Sequence, residues 1–403
     1  MSQFLEPNQG RYDENPTPAY VFDLDQLERR LSAIKGGITR EKTHICFTVK
    51  ANPFLVEVLK GKVDYFEVCS PGEFHICEYN KADMDRLIVT GVYKAPVDTM
   101  RMIGEFDGRT IFTVESLNQL QVLDFCAGKY ECRTRVLLSL TSGNQLGMKA
   151  SQLEYCISHR DEYKNLDFIG IQYYSGTQKK GFSKIEEELH MLENFCQDMK
   201  DKFGFETKVL TYGPGLGVPY FEDEEEEQLD QVLDTLNQLL NQLKFSGQVI
   251  LEMGRFLTAF CGSYYTSVAD VKSQGGENYC IIDGGTHHLN YYGQEDKKRI
   301  PHYSHMPQNL NASADETLWK VCGCLCTPDD VLAVQMPMRG PSPGDLLIFE
   351  RTGAYCVTDG RTLAMSQDLP RIYFFSQDFG MELVRTREGT CKWNMRPEED
   401  DEE

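Results

Sequence analysis

Between residues 44 and 252 the chain alternates short β-like runs with helical patterns, and no other feature restricts its fold as strongly. Eight runs carry the rhythm: His44–Lys50, Asp64–Val68, Arg86–Thr90, Thr110–Val114, Thr134–Leu140, Asp167–Tyr173, Thr207–Tyr212 and Gln248–Glu252. Helical patterns fill several of the gaps. The clearest is a single apolar stripe of Ile185, Leu189, Leu192, Phe195, Met199 and Phe203. Eight strands alternating with helices are what a (β/α)8 barrel requires, with a doubly wound open sheet as the alternative.

A strand-like piece at Ala19–Phe22 and a helical pattern from Asp23 to Ile34 precede this region. Beyond Gly262 the texture changes. Strand-like runs at Tyr264–Val271, Cys280–Asp283, Leu318–Gly323 and Leu346–Phe349 come without long helices between them. Turn signals at Gly275-Gly276, Gly284-Gly285 and Pro341–Gly344 separate them, which predicts an antiparallel β domain. The polar stretch 294–315 reads as a long loop. The barrel is expected over 23–262, the β domain over 263–396 and an acidic disordered tail over 397–403.

The 403-residue chain, 41% hydrophobic, is long enough for two cores. No apolar run approaches the ~20 residues of a membrane helix. Residues 1–18 lack a basic segment followed by an apolar one, so no secretory signal is expected. The 14 cysteines are scattered, several inside apolar runs (Cys46, Cys261, Cys280), as in a reduced cytoplasmic protein. Cys322, Cys324 and Cys326 cluster, but more tightly than zinc pairs and without a second pair, so no metal is expected. A formal charge of −21 argues against nucleic acid or an anionic membrane as partner. Part of that charge lies in two runs, Glu222–Glu227 and Glu398–Glu403. The first precedes a helical pattern starting at Leu229 and is expected partly to serve that helix's N-terminus.

In a barrel, chemistry gathers where the strands end. The first run drives into Lys50, and Asn52-Pro53 then stops the strand. A lysine held at a site mouth by its packed stem can form a Schiff base, although a snorkelling surface lysine is the commoner arrangement for such a stretch. The seventh run ends in Gly213-Pro-Gly215-Leu-Gly217, and Glu252 with Gly254-Arg255 closes the eighth. Glycines let backbone N–H groups approach an anion and arginine pairs with phosphate, so this position favours a phosphate site. With Lys50 for an aldehyde and Glu252 for a pyridine nitrogen, the set suits pyridoxal 5′-phosphate. Glu252 as a structural ion-pair partner is the alternative.

These motifs, in this order, resemble those of the fold type III pyridoxal-phosphate decarboxylases, the diaminopimelate and ornithine decarboxylase group. Phe47–Asn52 resembles the family's lysine motif, Glu67–Glu73 its second-strand motif, and the Gly213 and Glu252 segments its phosphate and ring-nitrogen motifs. The resemblance spans about Ala19 to Tyr373 and implies an alanine-racemase-type barrel with residues 1–22 joined to the C-terminal β domain. It implies Lys50 and Cys326 as catalytic residues. Lys50, Tyr174, Thr177, Gly213, Gly215, Gly217, Glu252, Gly254, Arg255 and Tyr355 would bind the cofactor, and Thr327 and His288 would face substrate. It further implies a homodimer with shared active sites, Cys326 reaching the partner's cofactor. The implied reaction is decarboxylation of a small L-amino acid or derivative, through an external aldimine and a quinonoid carbanion that Cys326 protonates.

Departures from the family pattern are concentrated where substrates are read. Tyr174 replaces the histidine that stacks on the ring, Ser139 an arginine, Thr327 an acidic residue that reads a substrate amine, and Tyr291-Tyr292 an Arg-Pro pair. These changes argue against diaminopimelate or a simple diamine precursor. Leu363–Pro370 and the pair His287-His288 resemble a subgroup that decarboxylates aminoacyl groups tethered to carrier proteins, though two adjacent histidines are equally a structural feature. A racemase of the same fold would favour arginine at the ring nitrogen, so Glu252 and Cys326 speak for decarboxylation. A non-catalytic pyridoxal-phosphate-binding homologue is the remaining alternative.

Overall fold

The computed structural model describes residues 16–308 and 315–396, so the acidic tail and residues 1–15 lie outside it. The chain divides into two compact units, one comprising Arg30–Val218 and Glu227–Leu257 and the other the rest of the described chain. Strand β1 (Ala19–Asp23) belongs to the second unit.

The first unit is a closed parallel barrel of β2 (Thr43–Thr48), β3 (Tyr65–Val68), β4 (Leu87–Val89), β5 (Ile111–Val114), β6 (Thr134–Leu140), β7 (Leu166–Tyr174), β8 (Val209–Gly213) and β9 (Gln248–Met253). Each strand pairs with its successor, and β9 closes on β2. One buried side chain from each strand packs inside: Cys46, Tyr65, Ile88, Ile111, Leu137, Ile169, Val209 and Ile250. The strands are buried on both faces, so they read as short, nearly continuous apolar runs.

Between β7 and β8 runs helix Ser183–Phe203, which buries Ile185, Leu189, Leu192 and Met199 as the stripe predicts. Phe195 and Phe203 are only half-buried, and Cys196 and Glu188 complete the inward face. The helix stops at Gly204, whose φ of 59° provides the left-handed cap. The first predicted strand is shorter than its apolar run. It ends at Thr48, and Lys50 sits in a tight turn, Val49–Ala51. Proline holds Asn52 extended (φ −164°, ψ 95°), and the Asn52 side chain accepts the Phe54 N–H at 3.2 Å, turning the chain aside.

The second unit adds β10 (Gly262–Gln274), β11 (Glu277–Ile282), β12 (Tyr303–Met306), β13 (Glu316–Cys322), β14 (Val331–Arg339), β15 (Leu346–Glu350), β16 (Arg371–Ser376) and β17 (Gly380–Arg385). With β1 they form one nine-stranded sheet. It is mostly antiparallel, with two parallel pairings, β1 with β16 and β11 with β13. The stretch expected to be a long loop contains β12, an edge strand that pairs with β15 alone. Its residues Tyr-Ser-His-Met are all half-buried, so it has no apolar alternation to betray it. Two acids of the run near residue 224 have partners of their own. Glu224 caps the Tyr220 N–H at 2.7 Å and pairs with Arg299 at 2.9 Å, while Glu226 pairs with Arg351 at 2.6 Å. These two acids are thus engaged by arginines and a backbone N–H of the second unit.

Candidate active site

Lys50 leaves the turn after β2 with Nζ 3.6 Å from Glu67 Oε1 at the end of β3 and 3.6 Å from Cys69 Sγ. Glu67 is buried. Its Oε1 accepts the Thr90 hydroxyl at 2.8 Å, whereas Oε2 is buried and receives no hydrogen bond. Burial pushes the Cys69 thiol up to about 12, so it is a neutral donor beside this carboxylate. The Lys50 amine also faces the Tyr174 ring, 6.0 Å from its centroid.

At the end of β9, Glu252 is buried and accepts Gln172 Nε2 at 3.5 Å. Gln172 is oriented in turn by the Ser139 hydroxyl, which donates to its Oε1 at 2.6 Å. Burial first and the Glu67 charge second hold the Glu252 carboxyl well above the usual carboxylate range, with Lys50 and Gln172 opposing. Two buried carboxylates facing one lysine create a place where a further cationic N–H is stabilised.

The loops after β7 and β8 complete the site. A Cβ at Gly213 would lie 2.7 Å from Tyr174 Cδ2 and 3.3 Å from Glu252 Oε2, so only glycine leaves the space between ring and carboxylate open. Gly215, at φ +65°, approaches the neighbouring loop so closely that a Cβ would stand 2.1 Å from the Gly176 carbonyl oxygen. Thr177 Oγ1 accepts Arg255 Nε at 3.3 Å, and Gln178 brackets the Val218 peptide through bonds of 2.7 and 2.9 Å. Gly217 lies in the same β8 loop, and Gly254 follows β9. The open space beside Gly213, the unpartnered Glu67 oxygen and the glycine loops fit a planar, phosphorylated, nitrogen-containing ring.

The remaining predicted residues belong to the second unit. Cys326 is exposed, in the loop between β13 and β14. Asp330 fixes that loop, accepting the Leu325 N–H at 2.8 Å and both the N–H and hydroxyl of Thr286 at 2.7 and 2.8 Å. Thr327 Oγ1 accepts the Asp329 N–H at 3.4 Å. Tyr355 has a left-handed backbone (φ +66°), a conformation that costs about 1 kcal/mol or more for such a residue and is common at functional sites. His288 is buried, with Nδ1 bonded to the Tyr264 hydroxyl at 3.0 Å and Nε2–H donating to the Asp368 carbonyl at 2.7 Å. Burial pushes it down to about 3, so it is a neutral residue of the turn after β11 with both ring nitrogens bonded within the protein.

Sequence reasoning overlooked Cys69 and Lys94. Lys94 Nζ joins the ends of β4 and β5, donating to the Gly91 carbonyl at 2.8 Å, Gln119 Oε1 at 3.3 Å and Thr113 Oγ1 at 3.4 Å. Burial pushes its amine down to about 8. Cys69 lies inside the Glu67–Glu73 motif and Lys94 in none, and the partners of both come from other strands. Among the described residues, no metal-binding group of His, Cys, Asp and Glu comes together, and no helix is long and apolar enough to cross a membrane.

Fold and strand-end chemistry together suit a barrel that holds a phosphorylated aldehyde cofactor at its strand ends. The chain belongs to the pyridoxal-dependent decarboxylases, residues 24–259 matching the family's pyridoxal-binding domain. It is 25% identical to the L-glutamyl-[BtrI acyl-carrier protein] decarboxylase of Niallia circulans, over 93% of this chain and 92% of that one. It is likewise 25% identical to the diaminopimelate decarboxylase of Aquifex aeolicus, over 84% and 82%. The structure of the Methanocaldococcus jannaschii diaminopimelate decarboxylase with L-lysine shares the fold, with a TM-score of 0.83 and 20% identity over 94% and 92% of the two chains. The protein is therefore a pyridoxal-phosphate-dependent carboxy-lyase with a (β/α)8 barrel and a mostly antiparallel β domain.

Proposed function

We propose that this enzyme decarboxylates an aminoacyl group presented on a carrier protein, using a cofactor anchored at Lys50. The observation that carries the site assignment is the convergence of Lys50, Tyr174, Glu252 and the Gly213 loop on one space at the barrel's strand ends. Lys50 Nζ is the anchoring amine. Tyr174 offers a ring face and no charge. Glu252 holds a proton at the ring nitrogen, oriented by Gln172 and Ser139. Gly213, Gly215, Gly217, Thr177, Gly254 and Arg255 hold the phosphate. Bound pyridoxal phosphate supplies an electron sink for the pair left when carbon dioxide departs.

The Cys326 thiol is the proton donor to the substrate's α-carbon, reaching the site of a partner protomer in a homodimer. Tyr355 contacts the cofactor from the same unit, and Thr327 faces the substrate. Thr327 in place of an acid and Tyr291 in place of an arginine favour a substrate with neither a free distal amine nor a distal carboxylate. Tyr291 is buried, and its hydroxyl is spent on the Glu350 carbonyl at 2.6 Å. Similarity to a carrier-protein decarboxylase along nearly the whole chain supports the tethered substrate. Carbon dioxide release from free amino acids and from the same residues loaded on a carrier protein tests it. Faster turnover of the tethered form is expected, and turnover of free amino acids alone would sink the tethering.

A further inference from the structure

Glu188 is a carboxylate on the inward, otherwise apolar face of helix Ser183–Phe203. Its side chain is 6% exposed. Oε2 accepts Lys179 Nζ at 2.6 Å and the Tyr212 hydroxyl at 2.7 Å, while Oε1 accepts the Ser175 hydroxyl at 2.5 Å. An apolar residue would suit this stripe better, since burying a charge is unfavourable unless every lone pair is matched. The three partners are not scattered. Ser175 and Lys179 flank Gly176-Thr177 in the loop after β7, and Tyr212 immediately precedes Gly213. The Lys179 N–H also donates to the Gly215 carbonyl at 2.9 Å. One carboxylate therefore grips the loop after β7 and the end of strand β8, from which the second loop of the phosphate cradle leaves.

We propose that Glu188 is a positioning residue that sets the phosphate cradle, holding Thr177 and the Gly213–Gly215 run at the mutual spacing a phosphate requires. The inference rests on the assignment of these loops to phosphate. Backbone N–H groups and a hydroxyl bind an anion well only where they already converge, and glycine loops have many other conformations open to them. Gly176 and Gly215 both have positive φ, at +134° and +65°. Glu188 touches the segments around the cradle, so its effect falls on the phosphate and not on the lysine-bound aldehyde end.

The test is a titration of cofactor-free protein with pyridoxal 5′-phosphate and with pyridoxal, both of which react with Lys50 but only one of which carries phosphate. The readouts are the ratio of the two dissociation constants and the Tm. Glu188→Gln leaves the buried Lys179 amine without its partner and is at risk of unfolding. Ser175→Ala, Tyr212→Phe and the double variant Glu188→Gln/Lys179→Met carry the test instead. The preference for the phosphorylated ligand should fall about tenfold in the double variant and about threefold in each single one, with pyridoxal affinity unchanged. An unchanged ratio in all folded variants overturns the role. Thr177→Val separates the two layers of the argument. If it leaves the ratio unchanged, the phosphate assignment itself fails. If it lowers the ratio while the Glu188 set does not, only the positioning role is lost.

Discussion

Lys50 Nζ stands 3.6 Å from Glu67 Oε1, and the other oxygen of that carboxylate is buried without a hydrogen bond. The ion pair satisfies half of Glu67. A buried carboxylate with one idle oxygen is unfavourable by itself, and in the proposed site a cofactor bound beside Lys50 would relieve it. The same space is bordered by Glu252 and kept open at Gly213.

Replacing Lys50 with alanine should abolish the visible imine absorbance of the loaded protein and its bleaching by borohydride. Cofactor should remain bound, more weakly, through the phosphate loops. An absorbance that survives in Lys50→Ala and is still removed by borohydride would assign the anchor to another amine, with half-buried Lys94 the first to examine.

Glu252 gives the cofactor-free protein a definite pH dependence. Its folded carboxyl titrates above the usual range, chiefly through burial, so the folded state keeps a proton that the unfolded chain releases near about pH 4.3. Above that pH the unfolded state binds fewer protons, and this group's contribution to stability falls as pH rises toward the folded value. The Tm of the cofactor-free wild type should therefore decline relative to cofactor-free Glu252→Gln from pH 4.5 upward. A difference that stays flat would contradict the raised carboxyl. In the loaded enzyme, Glu252→Gln should lower kcat on the order of 10²-fold, since a charge poised for the transition state is lost.

Asp330 anchors the loop that carries Cys326 through three hydrogen bonds of 2.7 to 2.8 Å. Asp330→Ala should destabilise the protein by about 3 kcal/mol or more, because hydrogen bonds to a buried charge are lost together. Urea denaturation measures this directly. The variant should also lose kcat more than KM, as expected when a proton donor is displaced. Unaltered kcat in folded Asp330→Ala would detach Cys326 from the chemistry.

The proposed sharing of sites between protomers of a homodimer has a clean readout. Lys50→Ala and Cys326→Ala homodimers should each be nearly inactive, whereas mixing and reassembling them should restore about a quarter of the wild-type activity, since half the dimers then hold one intact site. No recovery on mixing would place Cys326 and Lys50 in sites of the same protomer.

Much of the barrel was legible because its signal is local. Short apolar runs, a helical stripe and breakers such as Asn52-Pro53 act over a few residues, and each of the eight strands supplies its own member of the packed interior. Lys50, Glu252, Gly213 and Arg255 could be singled out for the same reason, since in a barrel the end of a strand is also the edge of the site. The β domain was less legible. Strand β1 lies between β10 and β16, whose partner residues are more than 200 positions away, and β12 has too little apolar alternation to announce itself. The idle oxygen of Glu67, the Ser139–Gln172–Glu252 chain, the saturated nitrogens of His288 and the grip of Glu188 on a loop and a strand end were decided by tertiary structure alone. A sequence records which polar groups a chain carries. Whether a buried one is satisfied, and by what, depends on residues that only the closed fold brings within hydrogen-bonding reach of it.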